Sequence, residues 1–215
     1  KDLGALTIAV VTKPFRFEGP VRTRQADEGI ENLKQHVDAL ITIPNDKLLD
    51  VVEKMTSLVD AFKVADNILR QGVQGIADLI TIPGLINLDF ADVKTIMKDS
   101  GSAMMGIGQA SGEGRAVEAA KQAVSSPLLE QTVNGATGVL LNITGGASLS
   151  LQEVHQAADV IYEAVDPNAN IVFGAVVREN SNVDNAMNDA VSITVIATGF
   201  DDVTSLEQIK ENFLA

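Results

Sequence analysis

The sequence predicts an α/β protein in which two sheet-forming regions are joined by one long helix. Residues 5–43 alternate between apolar runs and a helical pattern, which is typical of a β-α-β unit in a parallel sheet. Residues 58–80 then carry one apolar stripe at helical spacing. Further apolar runs separated by helical patterns follow, and they predict a second, mixed sheet of about four strands.

Composition limits the classes of partner. The chain has 215 residues, a formal net charge of −13 and no cysteine. Because nucleic acids and anionic membranes attract clustered Lys and Arg, we expect no nucleic-acid partner and no membrane surface. No apolar run reaches the ~20 residues of a membrane span, so direct membrane insertion is not expected. The chain begins at Lys1 and enters a strand almost at once, and we therefore expect it to be part of a longer protein.

Polar residues follow both predicted strands of the first region. The apolar runs at residues 5–11 and 39–43 flank a helix predicted over residues 23–36. Glu18 and Arg22 lie in the loop after the first run, and Asn45 follows the second, where a short helix is predicted through about residue 54. Because ligands of parallel α/β sheets bind beyond the carboxyl ends of the strands, these three residues are candidate binding residues.

The long helix has clear end signals. Ser57 is the predicted N-cap, and Pro83 with Gly84 ends the helix. Its stripe covers about 35 Å at 1.5 Å per residue, which is long enough to contact both sheet regions. Gly72 and Gly75 each cost roughly 1 kcal/mol relative to alanine, so we expect a closely packed neighbour beside them.

Phe62 and Asp66 lie four residues apart on this helix and therefore point to the same side. An aromatic face beside a carboxylate suits a purine, because the carboxylate can accept hydrogen bonds from N1–H and the exocyclic amine of guanine. The simpler alternative is that Phe62 belongs to the core and Asp66 is a solvated residue. Spacing alone leaves both alternatives open.

Asn87, Asp89 and Asp92 interrupt the apolar pattern just after the long helix. Asp89 can cap a helix that begins near Phe90, and Asp92 then lies favourably at its positive end. The same spacing can instead present two carboxylates to something outside the domain, such as a water molecule that must be oriented for attack. Capping is the commoner use of such a pair, but the spacing permits both.

The second region is predicted to contain strands at residues 102–108, 138–144, 171–177 and 193–197, and helices at 93–99, 115–124, 150–165 and 205–214. Ser150 and Glu153 have the spacing of a capping box. The polar residues 178–189 do not have the spacing of a calcium loop, and a hairpin connection is predicted there.

Neither the glycines at 106, 108 and 112 nor the two histidines predict a binding site. Gly106, Gly108 and Gly112 stand between a predicted strand and a helix, but the third glycine is one residue too late for a dinucleotide loop. We expect a tight turn and close packing there. His36 and His155 lie near predicted helix ends and are expected to be solvated, so no metal site is predicted.

An ordered set of motifs resembles the FtsZ family, the bacterial cell-division GTPases of the tubulin superfamily. The motifs are VVTKPF (10–15) with FEG (17–19), IPND (43–46), ADNILRQGVQG (65–75), NLDFADV (87–93) and LNITGG (141–146). The resemblance implies a tubulin/FtsZ-like fold. Its parts are the remainder of a GTP-binding domain (1–56), a central helix (57–84), an activation domain (85–203) and a terminal helix (204–215).

The resemblance also implies which residues bind the nucleotide. Glu18 is expected to contact the ribose, and Arg22 the phosphates or the sugar. Asn45 and Asp66 are expected to form hydrogen bonds with guanine, and Phe62 to lie against its ring.

A catalytic loop follows from the same resemblance. Asn87, Asp89 and Asp92 are expected to enter the nucleotide pocket of the next subunit, where the two aspartates polarise the attacking water. GTP or GDP and Mg²⁺ are the implied cofactors, and a head-to-tail homopolymer is the implied assembly. Polymerisation and hydrolysis would then be coupled, because neither subunit alone has a complete site.

The implied biology is assembly of the division ring, in the cytoplasm at mid-cell, with other division proteins bound through a tail that is not evident here. The family's glycine-rich phosphate loop would lie upstream of Lys1. This chain alone is therefore expected to bind GTP weakly or not at all and to be inactive. Two alternatives remain: a non-enzymatic capping module that uses the Asn87–Asp92 loop, and a metal hydrolase that uses Asp89 and Asp92 within one chain.

Overall fold

Six strands form one mixed sheet within residues 1, 3–48, 57–82, 89–129, 133, 135–177 and 189–200, which the computed structural model describes. They are β1 (Ile8–Lys13), β2 (Ala39–Pro44), β3 (Gly101–Ser111), β4 (Gly138–Gly145), β5 (Asn170–Val177) and β6 (Ala190–Thr198). Their order across the sheet is β1-β2-β3-β6-β4-β5. β1 and β2 are parallel, whereas β6 runs antiparallel to both β3 and β4, so the predicted mixed arrangement of the second region is confirmed.

The two predicted sheet regions are continuous with each other. β2 and β3 pair in parallel from Ala39 opposite Gly101 to Ile41 opposite Ala103. This short pairing joins the parallel strands of the first region to the mixed strands of the second. The predicted domain limits at residues 56 and 84 stay a prediction.

The helices of the described residues are α1 (Pro20–Lys34), α2 (Asn45–Leu48), α3 (Leu58–Thr81), α4 (Phe90–Met97), α5 (Arg115–Val124) and α6 (Leu151–Ala164), and a 3-10 turn spans Arg16–Glu18. Their bounds agree with prediction to within a few residues. The rest of the helix predicted through residue 54, the stop at 83–84 and the helix at 205–214 lie outside the described residues.

Side chains cap the helices where the sequence predicts caps. Ser57 Oγ accepts a hydrogen bond from the Asp60 N–H at 3.2 Å at the start of α3. At α6, Ser150 Oγ accepts from the Glu153 N–H at 3.2 Å, and Glu153 Oε2 accepts from the Ser150 N–H at 2.9 Å. These bonds satisfy N–H groups that a helix start otherwise leaves without partners.

α1 begins at Pro20 rather than at residue 23. Proline suits the first helical position because it has no N–H to leave unpaired and its φ is already helical. The prediction that Arg22 lies in a loop was therefore wrong, since Arg22 is in the first turn of α1.

Helices cover both faces of the sheet, and each face has its own apolar core. Val139, Leu141 and Ile143 of β4 pack with α5 and α6, whereas Leu140 packs with α3 and α4. This alternation follows from the period of two along a strand. Among the described helices, none combines the length and the hydropathy that crossing a membrane requires.

α3 packs closely on strands from both sheet regions, and its two glycines lie at these contacts. A Cβ at Gly72 would lie 2.9 Å from Met105 Cε of β3 and 3.4 Å from Val10 Cγ1 of β1. A Cβ at Gly75 would lie 3.3 Å from Thr194 Cγ2 of β6. The predicted close packing is confirmed, and α3 contacts both regions as its length allows.

Gly106 and Gly108 lie inside β3, in agreement with the strand predicted at residues 102–108, and the predicted turn follows at Gly112, which has a φ of 84°. A Cβ would lie 2.0 Å from the Ala123 carbonyl oxygen at Gly106 and 1.9 Å from the Ala119 carbonyl oxygen at Gly108. The backbone of α5 therefore rests directly on β3, and the close-packing part of the prediction is confirmed. Only glycine allows such an approach between a helix and a strand.

Replacing Gly108 with alanine should destabilise the full-length protein by about 1–3 kcal/mol, because the added methyl group forces α5 away from β3. The measurement is the denaturant midpoint of unfolding. Gly29→Ala is the matched control, since Gly29 lies in α1 with no atom near its Cβ position. Equal midpoints for the two variants would contradict the packing of α5 on β3.

The connection between β5 and β6 is not a hairpin, so that prediction was wrong. β5 pairs with β4, and β6 pairs with β4 and β3, so β4 lies between the two strands. Residues 178–188 of the connection lie outside the described residues. Polar composition indicates a connection but does not reveal which strands become neighbours.

Candidate functional site

The 3-10 turn at the carboxyl end of β1 carries Glu18. Its Oε1 accepts a hydrogen bond from the Phe15 N–H at 2.9 Å, and its Oε2 lies 3.3 Å from Arg22 Nη1. The Glu18 side chain is 15% exposed, whereas that of Arg22 is 70% exposed. Glu18 is thus fixed within its own turn, and Arg22 reaches solvent beside it.

Asn45 follows β2 and begins α2. It is 6% exposed, and its Oδ1 has no hydrogen-bond partner among the described residues. A buried polar atom without a partner costs about 1–3 kcal/mol. Asn45 Oδ1 is therefore suited to accept a hydrogen bond from a ligand.

Asp46 joins the end of β2 to the 3-10 turn. Its Oδ1 accepts a hydrogen bond from the Arg16 N–H at 3.0 Å, and its Oδ2 lies 3.2 Å from Arg16 Nε. The parallel register, with Lys13 opposite Pro44, brings the two carboxyl ends side by side. The segments that follow β1 and β2 are therefore in direct contact.

Phe62 of α3 packs against the same turn. Its ring meets Phe15 edge-on with centroids 5.5 Å apart, and Phe15 is fully buried. Phe62 itself is 41% exposed, and Asp66 on the next turn of α3 is also exposed. Phe62 is therefore only partly buried, and an exposed Asp66 fits both alternatives, so the purine-binding role of this pair stays a prediction.

Asp89 is the N-cap of α4, as the spacing predicts. Its Oδ1 accepts a hydrogen bond from the Ala91 N–H at 3.0 Å. Asp92 lies in the first turn, and both aspartates are exposed. Asn87 lies outside the described residues. The capping role is confirmed, and it still leaves both carboxylates open to solvent.

α4 lies at the amino ends of β1 and β2. Its Lys94 and Lys98 line a cleft of about 220 Å³ together with Leu6 and Asp38, which precede the two strands. Asp38 also accepts a hydrogen bond from the Thr7 N–H at 2.8 Å. The start of the sheet and α4 therefore form one surface.

The predicted site residues consequently divide into two groups. Glu18 and Asn45 follow the carboxyl ends of β1 and β2. Asp92, in contrast, lies two residues before Lys94, which lines the cleft at the amino ends of the same strands. Each strand has six residues, which correspond to about 20 Å at 3.3 Å per residue. Asp89 and Asp92 thus begin the helix that meets the amino ends of β1 and β2, whereas Glu18 and Asn45 of the same chain follow the carboxyl ends.

Comparisons with known proteins match both parts of the chain. The Tubulin/FtsZ family GTPase domain matches residues 1–53, and the FtsZ family C-terminal domain matches residues 101–201. The structure of an empty FtsZ dimer from M. jannaschii is 46% identical, with a TM-score of 0.85, over 92% of this chain and 56% of that chain. This chain belongs to the tubulin/FtsZ family.

Other tubulin/FtsZ structures support the same fold. A mutant M. jannaschii FtsZ is also 46% identical, with a TM-score of 0.86, over 93% of this chain and 58% of that one. CetZ from Methanosaeta thermophila shares the fold alone, with 17% identity and a TM-score of 0.69 over 98% of this chain and 56% of its own. The chain spans a little over half the length of these relatives, and the tubulin/FtsZ-like fold implied by the motifs is confirmed.

This tubulin/FtsZ chain also contains a buried arginine that the sequence analysis missed. Arg115 is 5% exposed. Its Nε donates to Glu153 Oε1 at 2.7 Å, and its Nη1 donates to Asp189 Oδ1 at 2.7 Å and to the Asp189 carbonyl at 2.8 Å. Its Nη2 donates to the Ser148 carbonyl at 3.1 Å. Arg115 therefore ties α5 to α6 and to the start of β6.

A signal for this role exists in the sequence. Arg115 stands four residues before Ala119 and thus on the buried stripe of α5, where a charge needs a partner. The hydrogen bond from Arg115 lowers the pKa of Glu153 from 4.5 to about 2, with help from the N–H and hydroxyl of Ser150. The partners themselves are 38 and 74 residues away, so spacing does not reveal them.

The described ranges of this tubulin/FtsZ chain hold no group of three or more His, Asp or Glu side chains placed to bind a metal ion. His36 and His155 are exposed, and His155 Nδ1 lies 3.2 Å from Asp159 Oδ2. The alternative of a metal hydrolase that uses Asp89 and Asp92 within one chain stays a prediction.

Proposed function

We propose that the full-length protein binds GTP at the sheet end that carries Glu18 and Asn45. Hydrolysis occurs at a site that Asp89 and Asp92 of the next subunit complete in a head-to-tail filament. The observation that carries this proposal is the placement of the two groups at opposite ends of one chain. A heterologous contact repeated in one direction brings such ends together and generates an open filament. One of the M. jannaschii FtsZ structures is itself a dimer.

Guanine recognition rests on residues around the Phe62 ring. The Asp66 carboxylate accepts hydrogen bonds from N1–H and the exocyclic amine, which adenine does not present in that arrangement. Asn45 Oδ1, buried and without a partner in the described part of the chain, accepts a further donor of the nucleotide. The exposed part of the Phe62 ring lies against the base.

The 3-10 turn and the start of α1 bind the sugar and the phosphates. The Glu18 carboxylate, already oriented by Phe15 and Arg22, accepts hydrogen bonds from ribose hydroxyl groups. Arg22 supplies a positive charge for the phosphates from an exposed position. Mg²⁺ bound with the nucleotide neutralises part of the phosphate charge.

Hydrolysis uses the exposed carboxylates of the neighbouring subunit. Asp89 and Asp92, with Asn87, orient a water molecule and accept hydrogen bonds from it as it approaches the γ-phosphorus. The water oxygen bonds to phosphorus while the bond to the bridging oxygen of GDP breaks, and phosphate and GDP leave. Because the site exists only between subunits, turnover requires assembly.

The proposed cellular role follows the similarity to FtsZ. A filament that hydrolyses GTP at every subunit contact can assemble and disassemble, which suits a division ring in the cytoplasm at mid-cell. Other division proteins would attach through a segment beyond the part described. The strength of this proposal is the 46% identity to FtsZ over most of the chain.

Asp66→Asn should weaken GTP binding by the full-length protein about 10- to 100-fold, because a charged hydrogen-bond acceptor for guanine is lost. The same change should improve XTP binding, since an amide N–H can donate to the carbonyl that xanthine carries in place of the amine. Calorimetric titration of each variant with GTP and with XTP measures both changes in affinity.

Asp159→Asn is the control for this experiment, because Asp159 is an exposed helical aspartate on α6, at a distance from the base site. It should leave both affinities unchanged. If Asp66→Asn binds GTP as tightly as the wild type, the assignment of guanine to this face of α3 is wrong.

A further inference from the structure

We infer that Asp46 is a positioning residue that holds the ribose-binding carboxylate of Glu18 at a fixed distance from the base-binding amide of Asn45. The inference rests on the proposed function and adds a residue to it. Asp46 belongs to the IPND motif (43–46), in which the resemblance gives a role only to Asn45. The structure points to it because it bridges two segments that are 30 residues apart in the chain.

Both carboxylate oxygens of Asp46 are engaged by one residue of the 3-10 turn. Oδ1 accepts from the Arg16 N–H at 3.0 Å, and Oδ2 lies 3.2 Å from Arg16 Nε. We therefore assign Asp46 to the 3-10 turn rather than to the nucleotide itself. Its effect on the nucleotide passes through the turn, and through Glu18 at the end of that turn.

The backbone bond matters more than the ion pair. The Arg16 side chain is 92% exposed, and exposed ion pairs contribute little to stability. The Arg16 N–H, in contrast, is the first backbone donor of the 3-10 turn, which makes no hydrogen bond inside the turn. The bond from this N–H to Asp46 thus sets where the whole turn lies relative to β2.

Hydrogen bonds and ring packing connect the rest of the turn, and we expect them to transmit a shift at Arg16 to Glu18. The Glu18 N–H donates to the Phe15 carbonyl at 3.0 Å, and Glu18 Oε1 accepts from the Phe15 N–H at 2.9 Å. Phe15 is fully buried and stacks on Phe17 with centroids 4.9 Å apart. Release of the Asp46 contact therefore moves the turn as a unit rather than unfolding it.

The test compares Asp46→Ala, Glu18→Ala and the double variant in the full-length protein. Dissociation constants are measured for GTP and for 2′,3′-dideoxy-GTP, which lacks the ribose hydroxyls, at concentrations below assembly. Asp46→Ala should weaken GTP binding about five- to tenfold and dideoxy-GTP binding by less than twofold. The double variant should bind GTP no more weakly than Glu18→Ala does, because both substitutions remove the same interaction with the ribose.

Two further variants separate positioning from general loss of structure. Asp46→Asn keeps an oxygen that can accept the Arg16 N–H, and it should retain most of the discrimination between the two nucleotides. Asp27→Ala is the control, since it removes an exposed carboxylate 3.5 Å from Lys13 Nζ without touching the turn. It should change neither dissociation constant.

The inference would be overturned if Asp46→Ala weakened the binding of GTP and of dideoxy-GTP by the same factor. It would also be overturned if the factor for GTP in the double variant were the product of the factors in the two single variants. The proposed function has a separate failure. If Glu18→Ala leaves the discrimination intact, Glu18 does not bind the ribose and the nucleotide assignment itself is wrong. If Glu18→Ala abolishes discrimination while Asp46→Ala preserves it, only the role of Asp46 is wrong.

Discussion

Replacing Asp89 with alanine in the full-length protein should lower GTP turnover about 100- to 1,000-fold, the usual cost of removing one group that stabilises a transition state. GTP affinity should stay within about twofold of the wild type, because Asp89 lies at the opposite end of the sheet from Glu18 and Asn45. Phosphate release under assembly conditions measures turnover, and titration below the assembly concentration measures affinity.

The capping role of Asp89 must be separated from the catalytic one. Asp89 Oδ1 accepts the Ala91 N–H at 3.0 Å, and loss of an N-cap costs about 1 kcal/mol. Asp89→Ser is the matched variant, since serine caps as well as aspartate but supplies no carboxylate. It should be as stable as the wild type and as inactive as Asp89→Ala.

A mixing experiment tests whether the site is shared. Asp89→Ala keeps an intact nucleotide pocket, and Asp66→Ala keeps an intact catalytic loop. In an equal mixture about a quarter of the head-to-tail contacts pair the intact pocket with the intact loop, so turnover should return to roughly that fraction. No recovery would show that the two groups do not act across a subunit contact. If Asp89→Ser hydrolysed GTP at the wild-type rate, the Asp89 carboxylate would have no catalytic role. Asp89 would then serve only as a helix cap and as part of a docking surface, as in the capping-module alternative.

Arg115→Ala should lower the free energy of unfolding by about 3 kcal/mol or more, because it leaves two carboxylates without their buried cation and opens a cavity beside α5. Arg115 is 5% exposed and Glu153 is 24% exposed. Lys121→Ala on the exposed side of the same helix is the control and should stay within about 0.5 kcal/mol. Denaturant unfolding of the full-length protein measures both, and equal midpoints would contradict the structural role of Arg115.

The same contact predicts a pH dependence. The pKa of Glu153 is about 2 in the folded protein and 4.5 when unperturbed. A lowered pKa stabilises the fold above pH 4.5, and that stabilisation is lost as the pH falls from 4.5 towards 2, by roughly 3 kcal/mol. Arg115→Ala should therefore flatten the stability profile in this window, which unfolding at a series of pH values will show.

Much of the local structure was predictable, because it depends on residues within a few positions of each other. Ser57, Asp89 and Ser150 cap the helices that their spacing predicts. The start of α1 was the main local error, because Pro20 was taken for part of a loop. Proline is common both in loops and at the first position of a helix, so the sequence around Pro20 is compatible with either structure.

The candidate site was predictable in part. The residues that follow β1 and β2 were identified from the rule that ligands bind beyond the carboxyl ends of parallel strands. Their roles came from the resemblance to FtsZ and stay a prediction. The contact between Asp46 of the IPND motif and the 3-10 turn was not predicted, because Arg16 is 30 residues away in the chain.

The sequence by itself determined the apolar runs, the helix caps, the length of the central helix and membership of the tubulin/FtsZ family. Only the tertiary structure decided that β4 separates β5 from β6, that β2 and β3 join the two regions, and that Arg115 meets partners on α6 and β6. It also decided that Asp92 and Glu18 lie at opposite ends of one sheet. Periodicity and caps are set by bonds within a few residues, whereas strand order and the two ends of a sheet depend on contacts between distant segments.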